Sequence, residues 1–161
     1  MGPVAYFSLC LLGCLIYNPS LAGAQAGPCP RGWLLFQGNC YGYFPQGKTW
    51  LEAEAKCQDL GHRTHLTSIH SAGEINMMAH YIKQYRKSYF FAWIGLFDFE
   101  QDRDWRWSDD SSFNLRAWDK GQPNNLTGDE HCTVLFYDTG FPKWHDYPCD
   151  TKFSFICKRK A

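Results

Sequence analysis

A chain of 161 residues, 45% of them hydrophobic, has room for one domain and enough apolar side chain to bury a real core. Its 16 Lys plus Arg balance 16 Asp plus Glu, which excludes nucleic acid as a partner, since that ligand demands a strongly basic face. Aromatic residues reach 17%, with seven Trp, so a domain this small leaves some of them for a ligand surface as well as the core.

In chain order, residues 1–26 carry no charged side chain and include an apolar run from Tyr6 to Ile16. They end in Ala22-Gly23-Ala24-Gln25-Ala26, which offers two A-x-A cleavage sites. The segment reads as a signal peptide without the usual basic n-region, and the protein as secreted, with one domain over residues 27–161. The run is too short to span about 30 Å of hydrocarbon, so no membrane insertion is expected. Removing the segment removes Cys10 and Cys14 and leaves Cys29, Cys40, Cys57, Cys132, Cys149 and Cys157. An even set with no C-x-x-C pair in an exported chain points to three disulfides rather than zinc, with fifteen pairings open and no leftover thiol for an interchain bridge.

Residues 39–44 read as a strand. Thr49-Trp50-Leu51-Glu52 fits a capping box, with Trp50, Ala53, Cys57 and Leu60 on one helical face and Gly61 as a left-handed stop. A second box, Ser71-Ala72-Gly73-Glu74, precedes Ile75, Met78, Ile82 and Tyr85 at helical spacing, and Met77 and Met78 read as core fillers. Residues 90–96 form a short apolar run suited to a buried strand, and further strands are expected at 105–107, 132–136, 143–146 and 153–157. Strands at both ends with helices early between them describe an α+β domain. No internal repeat, low-complexity segment or linker interrupts residues 27–161. The interval 97–130, rich in Asp, Ser, Asn, Gly and Trp, fits no regular element, and stretches of that length in compact domains usually bind something. The terminal run Lys158-Arg159-Lys160 reads as a solvated end rather than a docking patch.

Several pieces carry a family likeness: Cys29-Pro30-Arg31-Gly32-Trp33, Asn39-Cys40-Tyr41-Gly42-Tyr43-Phe44, His65-Leu66-Thr67-Ser68-Ile69, Trp93-Ile94-Gly95-Leu96, Trp105-Arg106-Trp107, Trp118-Asp119-Lys120, Gln122-Pro123-Asn124 and Phe155-Ile156-Cys157. In that order they resemble a C-type lectin domain of the secreted, single-domain sort, as in snake venom lectins, regenerating proteins and eggshell lectins. The resemblance implies two helices with small antiparallel sheets and a long loop region. It also implies the pairings Cys29 to Cys40, Cys57 to Cys157 and Cys132 to Cys149, with the chain ends together. The extra cysteine that joins subunits in snake lectins is absent from residues 109–113, so any oligomer would be non-covalent.

In calcium-binding members the ion is held by a tripeptide such as E-P-N or Q-P-D, a Glu two residues before a cysteine, and a W-N-D sequence. The corresponding places here are Gln122, Asn124, Glu130, His145 and Asp146. By that resemblance Gln122, Asn124, Glu130 and Asp146 are the calcium ligands, all of them offering the oxygen this hard cation prefers. The X-Pro bond at Pro123 is expected to be cis, aiming its neighbours at one rim. All five positions are expected to meet a sugar, with Gln122-Pro123-Asn124 a hybrid leaning to mannose-type hydroxyls. His145 departs from the pattern, because imidazole nitrogen suits zinc or copper better than calcium. A weakened calcium site follows, with the ring N–H replacing the donor half of the missing Asn. Asp98, Glu100 and Asp102 read as a solvated acidic loop before an auxiliary ion site. Asn125-Leu126-Thr127 is an N-glycosylation sequon on the rim.

The expected function is calcium-assisted binding of glycans or glycoproteins on cell surfaces. The alternative is a calcium-independent interaction protein of the same fold, binding a protein, mineral or glycan surface. No G-x-S-x-G elbow or H-E-x-x-H pair supports an enzyme, and His62, His65, His70 and His80 read as surface or satisfied groups. Trp118 and Tyr137 are candidates for stacking on sugar rings, while Trp93, Trp105, Trp107 and Trp144 read as core.

Overall fold

The structure, a computed structural model, describes residues 27–85, 90–138 and 142–161. The expected signal peptide at 1–26 lies outside the described residues. Ten elements follow one another: β1 (Leu34–Phe36), β2 (Asn39–Lys48), α1 (Trp50–Asp59), β3 (His65–Leu66), α2 (Ala72–Ile82), β4 (Phe90–Phe97), β5 (Arg106–Trp107), β6 (Cys132–Tyr137), β7 (Lys143–Tyr147) and β8 (Phe153–Lys160). The strands run in the order β1-β2-β8-β4-β6-β7, with β3 on β8 and β5 on β4. All pairings between these strands are antiparallel except β4 with β8, where Ala92 faces Ser154 and Trp93 faces Phe155. One mixed sheet thus joins the strands that the resemblance implies as small antiparallel sheets.

Local chemistry explains both helices. Thr49 accepts from the Glu52 amide and Glu52 returns to the Thr49 amide, completing the box that opens α1. That helix ends at Leu60 in the right-handed region, and Gly61 follows at φ 152°, outside the left-handed helical well expected of it. The second box closes on one side only. Ser71 accepts from the Glu74 amide, but the Glu74 carboxylate reaches the His70 amide, the Tyr41 hydroxyl and Lys158 instead of the cap. Burial accounts for this: Glu74 lies inside and must take every strong donor within reach.

Two apolar clusters fill the interior. One joins Ile75, Met78 and Ile82 of α2 to Tyr41, Ile94, Leu96, Trp107, Trp144 and Ile156. The other joins Trp50, Ala53 and Cys57 of α1 to Leu66, Trp93, Val134 and Phe155. Tyr85 lies past the end of α2 and is exposed, with its ring against Tyr43 and Tyr81. Buried Glu54 ties α1 to the sheet by accepting from the Leu66 amide (2.8 Å), His65 Nδ1 (2.6 Å) and Ser108 Oγ (3.0 Å).

The three disulfides are Cys29–Cys40, Cys57–Cys157 and Cys132–Cys149, so every described cysteine is paired within the chain. The second closes a loop with a sequence separation of 100, for which chain entropy alone gives about 4.7 kcal/mol. The C-terminus sits beside the first hairpin, where the Ala161 amide donates to Gly38 O at 3.0 Å. The end of the chain is therefore a paired strand, with Arg159 opposite Cys40 and Lys160 opposite Asn39, and not the solvated tail that its charge suggests. Among the described residues no helix is long and apolar enough to cross a membrane.

Candidate functional site

Between β4 and β6 only the two-residue β5 is regular, and tryptophans hold the rest of that interval. Trp105 meets Trp118 at 4.8 Å, Trp107 meets Trp144 at 5.5 Å and Trp118 meets Trp144 at 5.8 Å between ring centroids. Trp118 is thus spent on support beneath the loop, and Tyr137 lies stacked on Phe90 under the Lys83 ammonium, so neither presents a bare face to a sugar. The bridge between Trp118 and Trp144 runs the loop alongside β7, and the Asp119 amide donates to Trp144 O at 3.1 Å.

The loop then turns through a cis bond between Gln122 and Pro123, as the family resemblance leads one to expect. Beyond it the two carboxylates act as a cradle for backbone. Asp146 Oδ1 accepts from the Asn124 amide (3.0 Å) and Oδ2 from the Asn125 amide (2.8 Å). Glu130 Oε2 accepts from the Leu126 amide (2.8 Å), while Asn125 Oδ1 accepts from the Glu130 amide (2.9 Å). These bonds fix a cavity of about 340 Å³ lined by Gln122, Asn124, Glu130, His145, Asp146 and Tyr147. All five residues singled out in the sequence therefore face one space. Burial, and behind it the charge of Glu130, pushes the Tyr147 phenol up and keeps it a donor.

Their remaining valences differ. Asp146 is buried and both its oxygens are used. Glu130 Oε1 and Asn124 Nδ2 have no hydrogen-bond partner among the described residues. Gln122 Oε1 is a buried acceptor with none. His145 does not stand opposite Glu130 as a donor. Its Nε2 lies 2.8 Å from Asp119 Oδ2, and since an ionised carboxylate can only accept, the imidazole donates there. That bond first, and the Lys120 amide second, hold the Asp119 carboxyl below its usual range.

Sequence reasoning missed Arg103. Its guanidinium donates to Asp146 Oδ2 (3.3 Å), Glu130 O (3.3 Å) and Asp98 Oδ2 (3.5 Å), and lies 5.2 Å from the Trp105 ring. The sign available was a single cation within the acidic run Asp98 to Asp104. Asp98 is buried and also accepts from His131 Nδ1 at 2.8 Å, while Glu100 and Asp104 pair with Arg106. Arginines and a histidine thus take up the acidic loop that could have held a second ion.

The donor set is chemically right for calcium: amide and carboxylate oxygens on one rim, one of them a buried oxygen with nothing to accept from. Among the described residues no three His, Cys, Asp or Glu side chains gather as a metal cluster, so two amides would have to complete the set.

The family model for the C-type lectin domain matches residues 46–159. A "C-type lectin" of Micrurus corallinus is 43% identical over 158 residues, covering 98% of this chain and 98% of that protein. A "C-type lectin mannose-binding isoform" of Notechis scutatus scutatus is 42% identical over 154 residues, covering 96% and 98%. Among solved structures, human lithostathine is 35% identical with a TM-score of 0.76, over 83% of this chain and all of that one.

Proposed function

The chain belongs to the C-type lectin domain family, and on that premise we propose that it is a secreted protein that binds mannose-type glycans at the Gln122–Asp146 rim with the assistance of calcium. The family is one of carbohydrate-recognition domains and is generally not catalytic, so the task to explain is binding. The observation that carries the reading is Gln122 Oε1, a buried acceptor without a donor in a residue that lines the cavity. Leaving such a group unmet costs about 1–3 kcal/mol, which an incoming ligand recovers. A relative at 42% identity bears a mannose-binding name, which supports the choice of sugar.

Gln122, Asn124, Glu130 and Asp146 would hold the ion, and calcium when bound would supply a hard Lewis-acidic centre for neighbouring hydroxyl oxygens. The protein's own part is hydrogen bonding and order. Glu130 Oε1 accepts a hydrogen bond from a sugar hydroxyl, and the amide NH2 of Asn124 donates to a hydroxyl oxygen. The Asp146 carboxylate keeps the loop amides in register. Secretion is supported by three disulfides, which persist in oxidising compartments. Asn125 is proposed as the glycan acceptor: its Oδ1 is engaged, and its Nδ2, the atom a glycan takes, has no partner among the described residues.

A second reading has its own support. With Arg103 on Asp146 and His145 on Asp119, the same rim could take a glycan or protein surface without metal. Retention on mannose and galactose resins, with calcium and with chelator, separates the two. Mannose retention lost in chelator supports calcium assistance; retention indifferent to chelator supports the metal-free reading.

A further inference from the structure

A second cavity, about 720 Å³, shares no residue with the Gln122 rim. It lies at the C-terminal end of β8, against the turn after α1 and the loop after β5, whereas the rim lies on β7, with β4 and β6 between β8 and β7 in the sheet order. Its volume is in the roughly 300–1,000 Å³ range of small-molecule clefts.

Its charges are sorted. Lys158 is neutralised by Glu74 at 2.9 Å. Arg63, Arg159 and Lys160, which also line it, have no carboxylate partner among the described residues. Arg159 Nε is moreover a buried donor without an acceptor, the complement of an oxyanion. Gly61 leaves the guanidinium its room, because a Cβ there would stand 3.3 Å from Arg159 Nη1. Three imidazoles, His62, His65 and His70, line it as well, and the remaining side is of opposite character. Asp109 accepts from Ser68 and Ser111, and Asp110 has a carboxylate with no partner among the described residues. Asn39 adds an amide. No Phe, Tyr or Trp lines the cavity, so a nucleobase would find only imidazole and guanidinium planes to stack on.

We infer that this cavity is a second, metal-independent glycan site that takes a sulfated sugar chain. Arg63, Arg159 and Lys160 receive the sulfates, and the acidic and amide side accepts from ring hydroxyls. A polymer of phosphates alone would meet Asp109 and Asp110 as repulsion, whereas a sulfated sugar carries the hydroxyl donors that the Asp110 carboxylate lacks. Guanidinium groups suit the tetrahedral oxyanion because they donate in pairs.

The test is titration calorimetry of the full protein with a heparin-derived octasaccharide in chelator, which silences any calcium-assisted binding elsewhere. Binding is expected, weakening as salt rises, and an unsulfated octasaccharide should not bind. The double variant Arg63→Asn with Lys160→Gln should lose about tenfold in affinity. Both side chains are exposed, and Asn tolerates the left-handed backbone of residue 63 (φ 53°), so its melting curve should match the parent's. Asp110→Gly, which suits the left-handed backbone there (φ 62°), should also bind more weakly, by about threefold, as befits a lost hydroxyl acceptor. The inference is overturned if the octasaccharide binds no better than its unsulfated counterpart, or if the double variant keeps full affinity. Tighter binding by Asp110→Gly, or equal binding of RNA of matched charge, would mean plain charge attraction and would overturn it too.

Discussion

Arg103 and Asp146 lie 3.3 Å apart, and their pairing places a fixed positive charge under the rim where a divalent cation is proposed to sit. The guanidinium does two things at once. It compensates buried Asp98 and Asp146, and it competes electrostatically with any ion above them. Arg103→Gln should therefore destabilise the fold in chelator by about 1–3 kcal/mol, less than a fully buried pair because the arginine side chain is 35% exposed. It should also let millimolar calcium raise the melting temperature more than in the parent. Melting curves with calcium and with chelator measure both; a variant that melts like the parent in chelator would show that the brace carries no weight.

His145→Asn restores an amide oxygen at the rim and frees Asp119. Calcium-dependent retention on mannose resin should strengthen, with chelated protein unaffected. Loss of the bond to half-exposed Asp119 should cost no more than about 1 kcal/mol. A weaker or unchanged calcium response would remove His145 from the ligand positions.

The parts visible in the sequence are those with local signatures. Thr49 with Glu52, the apolar run of β4 and the Phe153-Ser154-Phe155-Ile156-Cys157 run of β8 each announce their element within a few residues. The five rim residues were legible only through the resemblance, since they lie as far apart in sequence as Gln122 and Asp146 and meet only because the loop is pinned beside β7. What stayed hidden was decided by partners distant in sequence. Glu74 looks like a cap residue until Tyr41 and Lys158 are seen to converge on it, and His145 looks like a sugar donor until Asp119 is seen to accept its N–H. β1 and β3 are too short for periodicity to speak, and β3 exists because β8 offers it an edge.

Glu74, Tyr41 and Lys158 form a buried polar group with a definite pH response. Burial pushes the Glu74 carboxyl up, but hydrogen bonds from Lys158 and Tyr41, the Lys158 charge and the His70 amide outweigh it and leave its pKa lowered. A carboxyl lowered on folding stabilises fully above its ordinary value of about 4.3, and that contribution is lost as pH falls through the folded value. Lys158→Met leaves the carboxylate buried without its cation and should cost about 3–5 kcal/mol at neutral pH. The difference should shrink in acid, below the ordinary carboxyl value, because Glu74 takes up a proton in the variant before it does in the parent, whose pKa is lowered. Urea unfolding at the two pH values measures it; an equal difference at both would show that the ion pair is not its source.

Gly95 stands where β4 passes under β3 and the start of the long loop. Its amide donates to Thr67 O at 2.9 Å and its carbonyl accepts from the Ser108 amide at 2.8 Å. A Cβ at this position would lie 2.7 Å from Leu66 O and 2.7 Å from Ser108 Oγ. Neither can yield easily, because the Leu66 amide and the Ser108 hydroxyl are both bonded to the buried Glu54 carboxylate. Gly95→Ala should therefore destabilise by about 3 kcal/mol, the upper end for overpacking, and lower the melting temperature by roughly 10 °C. Gly47→Ala is the control: its Cβ would meet nothing closer than Lys152 Cβ at 3.4 Å, an ordinary contact, and the melt should not move. Equal melts for the two alanine variants would mean that the strand can slide away from β3, and that Glu54 does not clamp α1, β3 and the loop into one unit.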